Sequence, residues 1–189
     1  MSEEREAELG AVTVGPLEFL DGPVRLDDYD ARWPEWFARE EERIRLALGN
    51  RVLQLEHVGS TSVPGLVAKP RIDILLVVSD PAAEPSYAPA LRAAGYTLRV
   101  REPDWQEHRM FNGPDTAVNL HVFGPTSPEI DRMLRFRDHL RTDTADRERY
   151  AAAKRELAAR HWRHIQDYAD AKTEVVEAII RRAALASGR

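Results

Sequence analysis

The sequence predicts an α+β fold. A helical pattern comes first, strand-like segments fill the middle, and the chain after about residue 126 is almost wholly helical in pattern. This order lacks the regular β–α–β alternation of a doubly wound parallel sheet. We expect a flexible N-terminal segment over residues 1–14 and a single domain over residues 15–189. Its α/β part would span about 15–125 and its helical part about 126–187.

The N-terminal third contains one clear helical pattern. Residues 1–14 are polar and rich in glutamate, so we expect them to be loosely ordered, and residues 23–30 fit a short strand or an extended entry. A helix is predicted from about Pro34, because proline is tolerated in a first turn and apolar residues then recur every three or four positions. These residues are Trp36, Phe37, Ile44, Ala47 and Leu48, before a stop at Gly49.

Several segments of the middle have strand patterns. They are residues 51–58, 71–78, 96–102, 107–113 and 117–123. Residues 71–78 are nearly apolar throughout, which is typical of a central strand covered on both faces. A short helix is expected over residues 85–94, ended by Gly95, and the cluster at residues 112–115 is a turn signal.

Three helices are predicted after Gly124. The first begins at Ser127, which is a good N-cap and is followed by proline and glutamate in the first turn. The second starts near residue 143 and runs to about 161. The third runs from about 164 or 167 to 186.

Composition narrows the class of protein. The chain has 189 residues, 43% of them hydrophobic, and a formal net charge of −5. Nucleic-acid-binding proteins usually carry a basic face, so we expect no nucleic-acid partner. The absence of cysteine excludes disulfides and thiolate metal sites, and no run is long enough to span a membrane. The first ten residues are acidic rather than basic and then apolar, unlike a signal peptide. We therefore expect a cytoplasmic protein with no membrane partner.

The connection over residues 59–70 carries more chemistry than a turn needs, since strand connections have a median length of roughly 4–6 residues. Gly59 directly after a strand lets backbone N–H groups approach an anion, and three hydroxyl side chains follow it. Lys69 adds a mobile positive charge suited to a phosphate. The alternative is a turn chosen for its backbone conformation, with Lys69 in solvent.

Asp73 is a single carboxylate in an otherwise apolar strand. An ionised carboxylate there is costly unless it is paired, hydrogen-bonded or bound to a metal. We interpret Asp73 as a ligand for a cation or for a substrate ammonium or hydroxyl group. A salt bridge to a nearby arginine is the alternative.

The histidines and the helical pairs are weaker signals. His121 shares a strand face with Asn119, His57 lies beside the connection, and His108 and Arg109 are further candidates. A single strand histidine is more often a core or interface residue than a ligand.

Residues four apart share one face of a helix, and the helical part repeats this spacing. The pairs are Arg137 with Arg141, Tyr150 with Lys154, and Tyr168 with Lys172. Such pairs are usually solvated, but cations that face a common cleft would form a phosphate clamp.

Together these features resemble the GrpB family, most densely over "EHVGSTSVPGLVAKPRIDI" and more loosely from about Val24 to Ile180. This family is similar to a domain fused behind dephospho-CoA kinase in some bacteria. The resemblance implies the fold of the polymerase-β-like nucleotidyltransferases, with a small mixed sheet, flanking helices and a helical bundle. In that superfamily a Gly-Ser follows the first strand, and an acidic–hydrophobic–acidic triplet and a later acid hold divalent cations.

This chain departs from that pattern. Gly59 and Ser60 match the first element and Asp73 matches one acid of the triplet, whereas the partner acid is missing. His121, or Asn119, stands where the third acid is expected. The resemblance therefore implies a single Mg²⁺ or Mn²⁺, and a histidine ligand favours Mn²⁺ or Zn²⁺.

The sequence thus predicts a nucleotidyltransferase-like protein that binds a nucleotide or a phosphorylated small molecule and transfers a nucleotidyl group to a small-molecule acceptor. Asp73 and His121 would be the catalytic and metal-binding residues. The predicted phosphate-binding residues are His57, Gly59, Ser60, Thr61, Ser62, Lys69, Arg109, Arg137, Arg141, Lys154, Tyr168 and Lys172. One alternative is a catalytically inactive module that senses a nucleotide or a CoA-like metabolite. Another is a structural domain in which Asp73 is buried against an arginine.

Overall fold

The computed structural model describes residues 2–115 and 117–186. Over these residues the chain forms seven α-helices and five β-strands. In chain order they are α1 (Ser2–Val12), α2 (Trp33–Leu48), β1 (Gln54–Val58), β2 (Ile72–Val77), α3 (Ala88–Ala93), β3 (Thr97–Glu102), β4 (His108–Asn112), β5 (Val118–Phe123), α4 (Pro128–Thr142), α5 (Thr144–Ala158), α6 (Ile165–Asp170) and α7 (Thr173–Ala186). Short 3₁₀ turns cover Gly49–Arg51, Ser60–Ser62 and Glu84–Ser86. The predicted α+β fold class is confirmed.

The strands form one mixed sheet in the order β1-β2-β5-β4-β3. Strand β2 pairs antiparallel with β1 and parallel with β5, while β4 pairs antiparallel with both β5 and β3. Every residue of β2 except Asp73 is buried, as its apolar sequence predicts for an interior strand.

The two faces of the sheet have different coverings. One face packs on α2 and α3, where Ile74 of β2 and Leu120 of β5 join a core with Ile44. The opposite face packs on α4 through Leu75 and Ile130. Successive residues of a strand point to opposite faces, so Asp73, two positions before Leu75, lies on the face turned towards α4.

The connection between β1 and β2 is the seam between the sheet and the later helices. Val63, Leu66 and Val67 are buried there, in one apolar cluster with Leu140 of α4 and Ile179 of α7. The connection is therefore long for a packing reason as well as any chemical one, because its middle residues pack against helices α4 and α7.

Two expectations about helices need correction. The Glu-rich N-terminal segment forms helix α1, and Arg5 on it donates to Asp167 at 3.0 Å. The third predicted C-terminal helix is two helices, α6 and α7, separated at Ala171 and Lys172. No glycine or proline marks this break. The sequence pattern therefore predicted one continuous helix. Within the described ranges, no helix is both long and apolar enough to cross a membrane.

Candidate functional site

Gly59 and Asp73 are in close contact where β1 meets β2. Gly59 has φ +69° and ψ −171°, a conformation essentially restricted to glycine. A Cβ at this position would collide with the Asp73 carboxylate. The glycine is therefore required both for the turn and for the approach of the carboxylate.

The Asp73 carboxylate is held by an amide. Asn119 of β5, directly opposite in the register, donates from Nδ2 to Asp73 Oδ1 at 2.9 Å. Arg71 donates to the Asn119 Oδ1 at 3.0 Å, so the arginine reaches Asp73 only through the amide. In the described part of the chain, no arginine forms an ion pair with Asp73, which argues against the salt-bridge alternative.

Asp73 stays ionised in this setting. Burial raises its pKa, but His121, the Asn119 amide and Lys69 together outweigh burial and lower the pKa below its ordinary value. The side chain keeps 31% of its surface exposed, so its free oxygen can receive a ligand.

A row of hydrogen-bonded side chains runs away from Asp73 along the sheet. The His121 Nε2 lies 3.9 Å from Asp73 Oδ1, and the His121 Nδ1 lies 3.1 Å from the His108 Nε2. On its other side, the His108 Nδ1 lies 2.6 Å from Glu102 Oε2. Burial is the main reason why the pKa of His108 is lowered. Sequence reasoning missed Glu102, although its pairing with His108 across the β3–β4 hairpin could have suggested it.

Three lysines interact electrostatically with Asp73. We call Lys69, Lys154 and Lys172 the lysine cluster. Lys154 is only 3% exposed and donates to the Val67 carbonyl. Burial lowers the pKa of all three, most strongly that of Lys154, and that of Lys172 falls to about 8.

Two tyrosines accompany the lysine cluster. The Lys154 ammonium lies 5.1 Å from the Tyr150 ring centre, and the Lys172 ammonium lies 4.3 Å from that of Tyr168. Burial raises the pKa of Tyr150, against the effect of Ser60 beside it. Burial also raises the pKa of Tyr168 to about 12. The Tyr168 hydroxyl is buried and has no hydrogen-bond partner among the described residues.

Several predicted site residues lie elsewhere. His57 is on the opposite face of the sheet, stacked on Phe37 at 4.8 Å, and burial lowers its pKa to about 4. Arg109 is also on that face and donates to Glu84 at 2.6 Å. The structure therefore does not bring His57 or Arg109 to the lysine cluster, because strand alternation turns them away.

The three hydroxyl side chains of the connection have two different roles. Thr61 donates to the Arg71 carbonyl at 3.2 Å and Ser62 donates to the Gly59 carbonyl at 2.6 Å. Both hydroxyls therefore support the turn. Ser60 is the one that lies beside Tyr150.

The paired arginines of α4 bind the end of β1 and the start of the connection. Arg137 donates to Glu56 at 2.9 Å and to the His57 carbonyl at 3.0 Å. Arg141 donates to the Ser62 carbonyl at 3.0 Å. Both arginines lie on α4, as predicted, and both side chains donate to groups of the protein itself.

A second cluster of candidate ligands lies between the C-terminal helices. Atoms of His139, Asp143 and Asp146 all lie within 4.8 Å of one another. However, Asp146 also binds Arg182 at 2.7 Å and Arg149 at 2.9 Å. We interpret this cluster as an ion-pair network between helices.

The donor set around Asp73 fits one cation and does not fit two. Asp73 and His121 offer one oxygen and one nitrogen on the same side of the sheet. The positions two residues either side of Asp73 hold Arg71 and Leu75, and neither can replace a carboxylate. Any single ion here would need further ligands from water or from a bound phosphate.

Comparison with known proteins assigns the chain that carries this site to a family. The family model described as GrpB protein matches residues 23–182, and the chain belongs to this family. Its fold is similar to the crystal structure of GrpB from Enterococcus faecalis, with a TM-score of 0.77 and 28% identity. That match covers 87% of this chain and 100% of the other.

Particular relatives extend the family across bacteria. The chain is 60% identical over 178 residues to the UPF0157 protein BH1888 of Halalkalibacterium halodurans, covering 94% of this chain and 91% of the relative. It is 46% identical to the UPF0157 protein SCO7215 of Streptomyces coelicolor, in a match that covers 92% of this chain and 93% of the relative. It is also 32% identical to a dephospho-CoA kinase of Mycolicibacterium paratuberculosis, covering 85% of this chain and 46% of that protein.

More distant structural matches exist. Structures of Cid1, described as a poly(U) polymerase with uridylyl transferase activity, match 82% of this chain at TM-scores such as 0.44, with 14% identity.

Proposed function

We propose that this chain is a nucleotidyltransferase-like protein that binds a nucleotide or a phosphorylated small molecule between β2 and the C-terminal helices. One observation carries the proposal: three buried or half-buried lysines interact electrostatically with a single carboxylate. Buried charges are costly unless they are paired. A phosphate group would supply the negative charge that this cluster lacks.

The lowered pKa values of the buried lysines support the binding of an anion. Burial and mutual repulsion make it hard for Lys154 and Lys172 to remain charged without a partner. Bound phosphate would favour their charged forms. The unpartnered Tyr168 hydroxyl and the Ser60 side chain are further donors on the same side.

The finer proposal is transfer of a nucleotidyl group to a small-molecule acceptor. Asp73, with His121, would hold one Mg²⁺ or Mn²⁺, which would neutralise phosphate charge when bound. Lys69 and Lys172 would hold the phosphates, and Asn119 would keep the Asp73 carboxylate in place. We propose a small-molecule acceptor because the chain has a net charge of −5, whereas nucleic-acid-binding proteins usually carry a basic face. We also propose a cytoplasmic setting.

A second candidate function is a catalytically inactive module that binds a nucleotide or a CoA-like metabolite. The observation that favours it is the Arg71–Asn119–Asp73 chain of hydrogen bonds. An arginine stands where the partner acid would be, so the second cation of a two-metal mechanism has no place there.

Thermal shift with a panel of nucleotides and CoA-like metabolites tests the proposal, with and without Mg²⁺ and Mn²⁺. A ligand at 100 times its Kd should stabilise the protein by about 2.7 kcal/mol. Lys172→Met should remove most of that stabilisation. The matched control is Arg181→Met, which removes an exposed cation of α7 and should leave the stabilisation by ligand unchanged.

The two candidates differ in their dependence on the cation. The transferase predicts stabilisation that needs Asp73 and a divalent cation, together with pyrophosphate release when an acceptor is present. The inactive module predicts binding without a cation and no pyrophosphate release. If no nucleotide or phosphorylated metabolite stabilises the protein, and Lys172→Met behaves like wild type, the proposal is wrong.

A further inference from the structure

We propose that Trp105 is the surface on which a planar aromatic base stacks, so that the ligand of this chain carries a base joined to its phosphates. This inference rests on the proposed function, because it concerns the part of the same ligand that the lysine cluster does not hold. It narrows the ligand to a nucleotide or a CoA-like metabolite. Phosphorylated small molecules without a base are not the expected ligands.

Trp105 is a large aromatic side chain that the fold leaves partly open to solvent. The residue lies in the turn between β3 and β4 and is 44% exposed. Its ring centre lies 5.4 Å from that of His108 and 5.9 Å from that of Phe123, and both contacts are T-shaped. Part of the indole therefore packs on the protein, and the exposed part can stack against a ligand.

The turn that carries Trp105 has a defined and unusual backbone. The Trp105 N–H donates to the Glu102 carbonyl at 3.2 Å, and the Trp105 carbonyl accepts from the His108 N–H at 3.0 Å. Gln106 and Glu107 follow with φ of +55° and +50°, which residues other than glycine seldom adopt. The ring is therefore fixed in place before a ligand arrives, which reduces the entropy lost on stacking.

Trp105 lies at the end of the row of side chains that begins at Asp73. His108, which contacts the indole, has its Nε2 3.1 Å from the His121 Nδ1. The His121 Nε2 in turn lies 3.9 Å from Asp73 Oδ1. The side chains of Asp73 and His121 keep 31% and 19% of their surfaces exposed. An accessible surface therefore leads from the carboxylate towards the tryptophan.

The lysine cluster lies on the other side of Asp73. Lys69 is on the connection that precedes β2, and Lys154 donates to the Val67 carbonyl of the same connection. In the sheet order β1-β2-β5-β4-β3, these lysines are therefore at the β1–β2 end and Trp105 is at the β4–β3 end.

A nucleotide has the same polarity along its length, with charged phosphates at one end and a planar base at the other. Phosphates held by the lysine cluster would direct the base across β5 and β4 to Trp105. Every base has a π face that can stack on an aromatic side chain. We therefore expect Trp105 to recognise the presence of a base and to discriminate little between bases.

Calorimetry with ATP, CoA and inorganic triphosphate tests the inference, because the last of these has phosphates and no base. Trp105→Ala should weaken the binding of ATP and CoA by about 5–150-fold and leave the binding of triphosphate unchanged. Trp105→Phe, which keeps an aromatic face, should recover part of the lost affinity. Trp36→Phe is the matched control, because Trp36 packs on the opposite face of the sheet.

Tryptophan fluorescence gives a second measurement that does not depend on affinity. The chain has four tryptophans, and a base stacked on Trp105 should quench its emission. Saturating ATP should therefore quench wild type and Trp36→Phe, but not Trp105→Phe. Triphosphate should quench none of them.

Two results would overturn this inference while leaving the proposed function intact. One is an ATP affinity that Trp105→Ala does not change. The other is an equal loss of ATP and triphosphate affinity in that variant, which would show that Trp105 only supports the fold of the site. If ATP, CoA and triphosphate all fail to bind wild type, the proposed function is wrong and this inference is wrong with it.

Discussion

Gly59 shows how one residue determines the local geometry. Its combination of φ +69° and ψ −171° is essentially restricted to glycine, and the Asp73 carboxylate occupies the space where a side chain would begin. The turn and the carboxylate therefore depend on each other, and a change at Gly59 acts on both.

We predict that Gly59→Ala lowers the free energy of unfolding by about 3 kcal/mol or more, from backbone strain and the collision with Asp73 together. Gly65→Ala is the matched control, because Gly65 also has a positive φ, of +79°, but has open space around it. Strain alone should cost the control about 1–2 kcal/mol. Urea unfolding measures both variants, and equal losses would contradict the role of the collision.

Lys172 is expected to link anion binding to pH. Its pKa of about 8 in the free protein rises when an anion binds, so binding takes up a proton above pH 8. We predict that the affinity for ATP falls as the pH rises through about 8, by up to about tenfold per pH unit for one linked proton. Calorimetry between pH 7.5 and 9.5 measures it, and Lys172→Met should bind more weakly with a flatter profile. A wild-type affinity that does not change over this range would contradict the prediction.

The affinity for ATP should fall as the pH rises, whereas the stability of the free protein should increase. Burial holds the folded pKa of Lys172 below the ordinary value of 10.5, so its charged form costs stability below about pH 8. That cost disappears as the pH rises from about 8 to 10.5. We predict that the stability advantage of Lys172→Met over wild type shrinks across this window, as measured by urea unfolding. A constant difference would mean that Lys172 titrates normally.

At the scale of the elements, helix α4 joins the connection to the sheet. Its start is fixed by Ser127, whose hydroxyl accepts from the Glu129 N–H at 3.3 Å. Further along the helix, Arg137 reaches the backbone at the end of β1 and Arg141 reaches the backbone of the connection. The position of the helix thus affects the turn that carries Ser60.

We predict that Ser127→Ala costs about 1 kcal/mol of stability, which is typical for the loss of an N-cap hydroxyl. Ser79→Ala, at an exposed position between β2 and α3, should stay within about 0.5 kcal/mol of wild type. Chemical denaturation of the two variants compares them. Similar small effects for both would show that the cap contributes little.

Local signals in the sequence predicted most elements, because each strand or helix carries its own periodicity and end signals. Ser127 predicted the start of α4, and the apolar run over 71–78 predicted the interior strand. The break between α6 and α7 has no such signal. In the row of side chains from Glu102 to Asp73, the hairpin pairing could have suggested Glu102. The approach of His108 to His121 and of His121 to Asp73 could not be predicted, since it depends on which strands pair and in what register.

At the scale of the whole molecule, the candidate site lies between parts of the chain that are distant in sequence. Asp73 lies on the sheet, Lys69 on the connection, and Lys154 and Lys172 lie in the C-terminal helical part. The apolar cluster around Leu66 holds these parts together beside the site. A ligand held by all of them should stabilise each of them.

We predict that ATP slows amide hydrogen exchange in β2 and also in α5, α6 and α7. The physical reason is that a ligand bound to both sides must dissociate before either side opens. Hydrogen-exchange mass spectrometry measures it, with Lys154→Met as the variant in which protection of the helices should be reduced. Protection confined to the sheet would contradict a shared site.

The Arg71–Asn119–Asp73 chain of hydrogen bonds has a consequence for which substitutions this chain can accept. Replacing Arg71 by an acid would place a second negative charge near Asp73 and remove the donor that Asn119 uses. Replacing Asn119 alone would leave both Arg71 and Asp73 without their shared partner. Each single step towards a two-acid site is therefore unfavourable, although the double change could be tolerated. Conversion of this site to a two-acid site therefore requires the two substitutions together.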